Sequence, residues 1–285
     1  MKYPGTLMNE YSRLKTNMKK NYERAVGNDR DSVHDMRVAI KRLRAFFKLV
    51  ESLNGNFAAK DNFKPFARFA KNTGSLRDSH VQQELADNYA DDLKVNLQQY
   101  GTFLKQHEQD CLSSFHQFAE DDPLSHLKPV KKKIQAALGT LSPVWAETKA
   151  VGRLHNMRNH LVLMCEAPDP SDEVLHDIRK LTKSIHYTHD IVLACFDSVD
   201  KDKTYRETIS STHKLLGKWH DFAVSIGYID MFLASSPDSA SCDSCSRLKQ
   251  HLAERQADLR TEVVSCLSGL SSKLSSRGNA YSISQ

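Results

Sequence analysis

One pattern constrains this chain more than its composition does: a charged helical segment occurs twice. VHDMRVAIKRLRAFF (Val33 to Phe47) and LHDIRKLTKSIHYTH (Leu175 to His189) align His34, Asp35, Arg37 and Lys41 with His176, Asp177, Arg179 and Lys183 at a constant offset of 142. A second block follows each in the same order. AKNTGSLRDSHV (Ala70 to Val81) matches HKLLGKWHDFAV (His213 to Val224), setting Lys71, Gly74, Asp78 and Val81 against Lys214, Gly217, Asp221 and Val224 at an offset of 143. Two ordered blocks with one residue of drift describe an internal duplication.

On a helix, His34, Arg37, Lys41 and Arg44 fall within about 80° of arc, and Arg30 and Lys48 extend the same strip. Met36, Ile40, Leu43, Phe47 and Val50 gather on another side, the side that can be buried. The segment therefore carries a core stripe and a cationic stripe. Arg37 and Arg44 can hold phosphate oxygens bidentately, whereas Lys41 supplies a mobile point charge. A basic helix face on its own is usually just solvated; recurrence at matching positions is what argues for a ligand.

Few Gly and Pro, 11 and 8 in 285 residues, and no sustained alternation of apolar residues predict an all-α fold. No apolar run approaches a membrane span and the first residues lack the core of a signal peptide, so a soluble cytoplasmic protein is expected. The six cysteines are scattered, which suits a reducing compartment; Cys242 and Cys245 form a lone CxxC read as two loop thiols. The net charge of +5 is unevenly placed: residues 1–77 hold 17 Lys or Arg against 7 Asp or Glu, and the remainder is net acidic. Such polarisation suits a polyanion partner.

In chain order, helices are expected over Thr6 to Val26 and from a Ser32 or Asp31 cap to about Leu53. Another covers Phe57 to Asn72, with Lys64, Arg68 and Lys71 at one-turn spacing and Pro65 as a possible kink. A polar helical stretch follows to about Ala119, interrupted near Tyr100 and Gly101. Asp121 to Pro129 is the candidate hinge, followed by Lys131 to Lys133 as a solvated helix turn. A helix from Pro143 to about Cys165 leads to the second motif helix, capped by Ser171 and ending near Asp197. Tyr205 to Leu216, Trp219 to Leu233 and Cys245 to Leu274 complete the chain, and residues 275–285 read as a disordered tail. The two repeat units span about 6–122 and 143–274 of one domain.

VHDMRVAIKRLR with its later GSLRD, and LHDIRKLTKSIHY with its later GKWHD, make the chain resemble the CHAD domain family, the conserved histidine α-helical domain. That resemblance implies two helical bundles related by a pseudo-twofold axis, with basic side chains lining a central groove or pore that binds inorganic polyphosphate, without catalysis and without a cofactor. The binding residues it points to are His34, Arg37, Lys41, Arg44, Lys48, Lys64, Arg68 and Lys71 in the first unit, and His176, Arg179, Lys183 and His186 in the second. The second unit departs from the first, with Ser184 and His186 standing where Arg42 and Arg44 stand. Asp78 and Asp221 are expected to hold Arg or Lys side chains at the groove. The cytoplasm, including polyphosphate granules, is the implied setting.

Two other readings compete. The His-Asp pairs at His34, His176 and His220, with His186 and His189 nearby, could serve a metal-dependent phosphohydrolase, but the accompanying cations would repel a dication, and no metal site is expected. Basic helices also grip nucleic-acid backbones. Few aromatics interleave the cations between Arg37 and Lys48, so base stacking looks weak and nucleic acid is the lesser partner.

Overall fold

The computed structural model describes residues 5–27, 29–120, 122, 124–196, 203–235 and 239–281, which form nine α-helices and no strand. They are α1 (Gly5–Val26), α2 (Arg30–Leu53), α3 (Ala59–Leu93), α4 (Gln98–Ala119), α5 (Leu127–Gly139), α6 (Pro143–Cys165), α7 (Asp172–Cys195), α8 (Lys203–Ser235) and α9 (Ser239–Tyr281). The all-α expectation holds.

The helices follow local chemistry where a cap is present. Ser142 and Ser171 each accept a backbone N–H of the following first turn, at 3.3 Å, and so start α6 and α7. The α2 cap is Asp29 rather than Ser32 or Asp31. Its carboxylate accepts the backbone N–H groups of Asp31 and Ser32, and the Ser32 hydroxyl donates to it at 2.9 Å. The break expected near Tyr100 falls earlier. Lys94 takes a left-handed conformation (φ 50°), and the Asn96 side chain accepts the Gln98 N–H that opens α4.

Two expected breaks do not occur: α3 runs unbroken through Gly74, and α8 through Gly217. A helical glycine costs about 1 kcal/mol relative to alanine. On α3 that cost is outweighed by burial of Phe66, Phe69 and Leu76 on either side. Pro65 also lies inside α3, where the helical bond it cannot donate is the one to the carbonyl of Asp61, an exposed residue of the first turn. Cys242 and Cys245 belong to α9 rather than a loop, and Cys245 is buried, its thiol pushed up to about 11 by burial. Helical backbone continues to Tyr281, beyond Leu274; residues 282–285 of the expected tail lie outside the described residues. Lys131 to Lys133 lie on α5, Lys132 and Lys133 exposed.

Three cores hold the helices together. The largest joins α1 to α5 with the start of α6 and the end of α7; in it Phe47 meets Phe57, Phe63 and Phe66 at ring distances of 5.5, 6.4 and 6.2 Å. A second joins α6 to α9 through Leu161, Leu175, Ile178, Leu216 and Leu270. The third packs the end of α3 and start of α4 against α8 and α9. Residues from both sides of the Asp121–Pro129 segment share the first and third cores, so no boundary there separates two independent cores.

Candidate functional site

Burial orients the motif helices. Val33, Met36, Ile40, Leu43, Phe47 and Val50 are fully or almost fully buried on α2, and Leu175, Ile178, Thr182, Ile185 and Val192 on α7. With those faces committed, α2 and α7 pack on each other with Lys41 and Lys183 in contact, side chain to side chain. Arg37 lies close to both Lys183 and Arg179. Four cations from residues far apart in sequence thus share one place.

Acids from α3 and α8 hold part of this cluster. Arg37 donates to the Gly74 carbonyl and, at 2.9 Å, to an Asp78 oxygen. On the other side Asp221 stands beside Arg179 and Lys183. The expected role of Asp78 as an arginine holder is therefore met. Gly74 is where Arg37 rests: a methyl group there would sit 3.9 Å from the guanidinium, an ordinary contact. Gly74→Ala should accordingly raise stability by about 0.5–1 kcal/mol in a denaturant titration, whereas Gly74→Leu should evict Arg37 and weaken anion binding. If alanine there weakens binding as much as leucine, the site has no spare room at Gly74.

Two carboxylates against four cations leave the cluster over-charged, and the protonation equilibria respond. Burial, then the neighbouring Lys183 and Arg37, push the Lys41 ammonium down to about 6. Lys183 is lowered by burial and by Arg179, while its hydrogen bond with Lys41 raises it. Burial lowers Arg179 as well, and its Nε is buried with no hydrogen-bond partner. His213 and His220, both on α8, are pushed down to about 4 by burial and by Lys183 and Arg179 respectively. Burial raises the Asp221 carboxyl, against the pull of Arg179.

A cavity of about 350 Å³ opens beside it between α2 and α3, lined by Arg37, Lys41, Arg44 and Lys71. The other predicted residues are placed less uniformly. Arg44 sits over the Phe63 ring at 4.3 Å, and Lys48 continues along α2 toward Arg153 of α6. Lys64 is exposed and paired with Asp61 at 2.9 Å, and the Arg68 guanidinium lies 5.2 Å over Phe118 of α4; neither lines that cavity. His34 is exposed beside Asp35, at 3.3 Å. His176 lies beside His220, the rings tilted 50° to each other with centroids 5.2 Å apart, and burial lowers its pKa. His186 lies 3.9 Å from Asp190 and 6.0 Å, ring to ring, from His213. Its surroundings thus differ from those of Arg44, its counterpart by offset.

Spacing along α2 and α7 could not reveal His213, which enters from α8. Arg153 had a usable signal, since Lys149, Arg153 and His160 lie within about 40° on one helix face. Among the described residues no group of three or more His, Cys, Asp or Glu is placed to hold a metal ion, and no helix is long and apolar enough to cross a membrane.

These features define an all-helical protein in which two motif helices meet through their basic side chains. The sequence model of the CHAD domain matches residues 15–230, and the chain belongs to that family. Among solved structures it is similar to the CHAD domain from the plant Ricinus communis, with a TM-score of 0.77, 16% identity, and 93% of this chain and 90% of that chain covered. It is also similar to PptA from Streptomyces chartreusis, with a TM-score of 0.64, 14% identity and coverage of 95% and 98%. At these identities the likeness is one of fold. Among curated proteins, none matches the chain in sequence.

Proposed function

We propose that this chain binds inorganic polyphosphate without cleaving it. The observation that carries the reading is the meeting of Arg37, Lys41, Arg179 and Lys183 with Asp78 and Asp221 as the acids beside them among the described residues. Assembling cations this closely is costly unless an anion with closely spaced charges neutralises several at once. Membership of the CHAD family supports the same partner, and the repeated sequence blocks account for the paired Arg and Lys. Nucleic acid fits less well: the ring beside the cavity, Phe63, is buried and already covered by Arg44, which leaves no face for a base.

The test is a titration with long-chain polyphosphate, duplex DNA and RNA at matched phosphate and salt, followed by analysis of the polymer after incubation with divalent metal. Polyphosphate should bind most tightly, with affinity falling steeply as salt rises, and should be recovered intact. Equal binding to all three polymers leaves only a generic polycation. Release of phosphate restores the hydrolase reading built on the His-Asp pairs.

A further inference from the structure

A second cationic cavity, of about 570 Å³, lies further along α2, between that helix, α6 and Leu181 of α7. Its walls carry donors suited to oxyanions, Lys149, Arg153, Asn156 and His160 from one face of α6, with Lys149 also 5.2 Å over the Trp145 ring; the Thr148 and Ser52 hydroxyls beside them donate to the Val144 and Leu49 carbonyls of their own helices. Arg153 presents a buried Nε with no hydrogen-bond partner. Gly152 leaves open space where a side chain would project. The carboxylate nearby, Glu51, accepts the Ala59 N–H at 2.9 Å where α3 begins and offsets part of the charge of Arg153 and Lys48.

The two cavities are joined electrically. Arg44 lines the first, and Lys48, one helical turn on, feels both Arg44 and Arg153, each of which lowers its pKa in addition to burial. Cations therefore follow one another from Lys41 through Arg44 and Lys48 to Arg153 and Lys149. Lys41 and Lys48 alone are about 10 Å apart along the helix axis.

We propose that the cavity between α2, α6 and α7 is a second phosphate station, at which Arg153 and Lys149, with Lys48 leading to it along α2, hold a later stretch of the same polyphosphate chain whose earlier stretch occupies the Lys41–Lys183 cluster. The inference rests on the polyphosphate reading above and adds a length requirement: a short phosphate ester or pyrophosphate reaches one station only, and a long chain reaches both.

The experiment compares long-chain polyphosphate with pyrophosphate, each titrated at several salt concentrations, on the unaltered protein and on Lys149→Gln/Arg153→Gln. The long polymer should bind about tenfold more weakly to the variant, with a salt slope shallower by about 1.4, the share of two lost contacts on a single-stranded polyanion. Pyrophosphate binding should not change. Gly152→Glu, which puts a carboxylate into the open space and keeps both cations, should reproduce the loss for the long polymer, so that a folding defect in the first variant does not decide the matter. An unchanged salt slope in both variants overturns the second station, as does equal weakening for both ligands. Failure of the unaltered protein to bind either ligand instead overturns the polyphosphate reading, and the second station with it.

Discussion

Replacing Lys41 and Lys183 together by methionine is expected to make the ligand-free protein more stable and nearly unable to bind polyphosphate. Both ammonium groups are largely shielded from water, they touch each other, and Arg37 and Arg179 crowd them further. Folding therefore has to strip a proton from Lys41 at neutral pH, a cost that methionine, unbranched and of similar length, does not incur. If that cost is about 1–2 kcal/mol, the melting temperature should rise by roughly 2–8 °C. Binding should fall about 100-fold or more, since two charge-assisted contacts at about 1.5 kcal/mol each are lost. Calorimetric melting and a polyphosphate titration check both halves. A lowered melting temperature with unchanged affinity would sink the site assignment.

The second large effect is proton uptake on binding. In the ligand-free protein Lys41 titrates at about 6, and His213 and His220 at about 4. The titratable and charged groups facing them are Arg37 from α2, Asp78 from α3, Arg179, Lys183, His176 and His186 from α7, and Asp221 from α8. A bound polyanion raises these values, so the complex takes up protons wherever pH lies between the free and the raised value. Affinity should weaken by up to about tenfold per pH unit for each linked proton as pH rises from the free Lys41 value of about 6 toward its raised value in the complex, and level off above that. Calorimetry at pH 7 in two buffers of different ionisation enthalpy should show net proton uptake; a heat independent of buffer would refute the linkage.

Ligand-free stability carries the opposite sign. Lys41 has a folded value below its ordinary 10.5, so its contribution is intact above 10.5 and is lost as pH falls through 6. His213 and His220 add a further loss as pH falls from their ordinary 6.5 through 4. Acid should thus weaken the free fold while strengthening the complex. His186, the obvious pH-sensitive group from the repeat alignment, faces Asp190 and His213 instead of the lysines, and burial lowers it. The lysine pair consequently dominates near neutral pH.

Local sequence determined the helices whose signals are local. The bounds of α1, α2, α6 and α7 were legible because apolar spacing, Ser142, Ser171 and the Asn54 stop act within a few residues, and the HDxR and GxxxD motifs were enough to point to the family. Gly74 and Gly217 misled for the same reason. Their local cost of about 1 kcal/mol is outvoted by cores assembled from distant helices, and nothing within a short window reports that. The site divides in the same way. Spacing placed Lys64 and Arg68 on a basic strip with Lys71, yet Asp61 and Phe118 engage the first two, while Lys71 alone reaches the cavity beside Lys41. Which cations meet depends on how α2 packs on α7, and that is set by buried faces more than a hundred residues apart. Only the tertiary structure could bring Lys41 to Lys183 and Lys48 to Arg153, because the energy holding like charges together comes from the apolar cores beneath them.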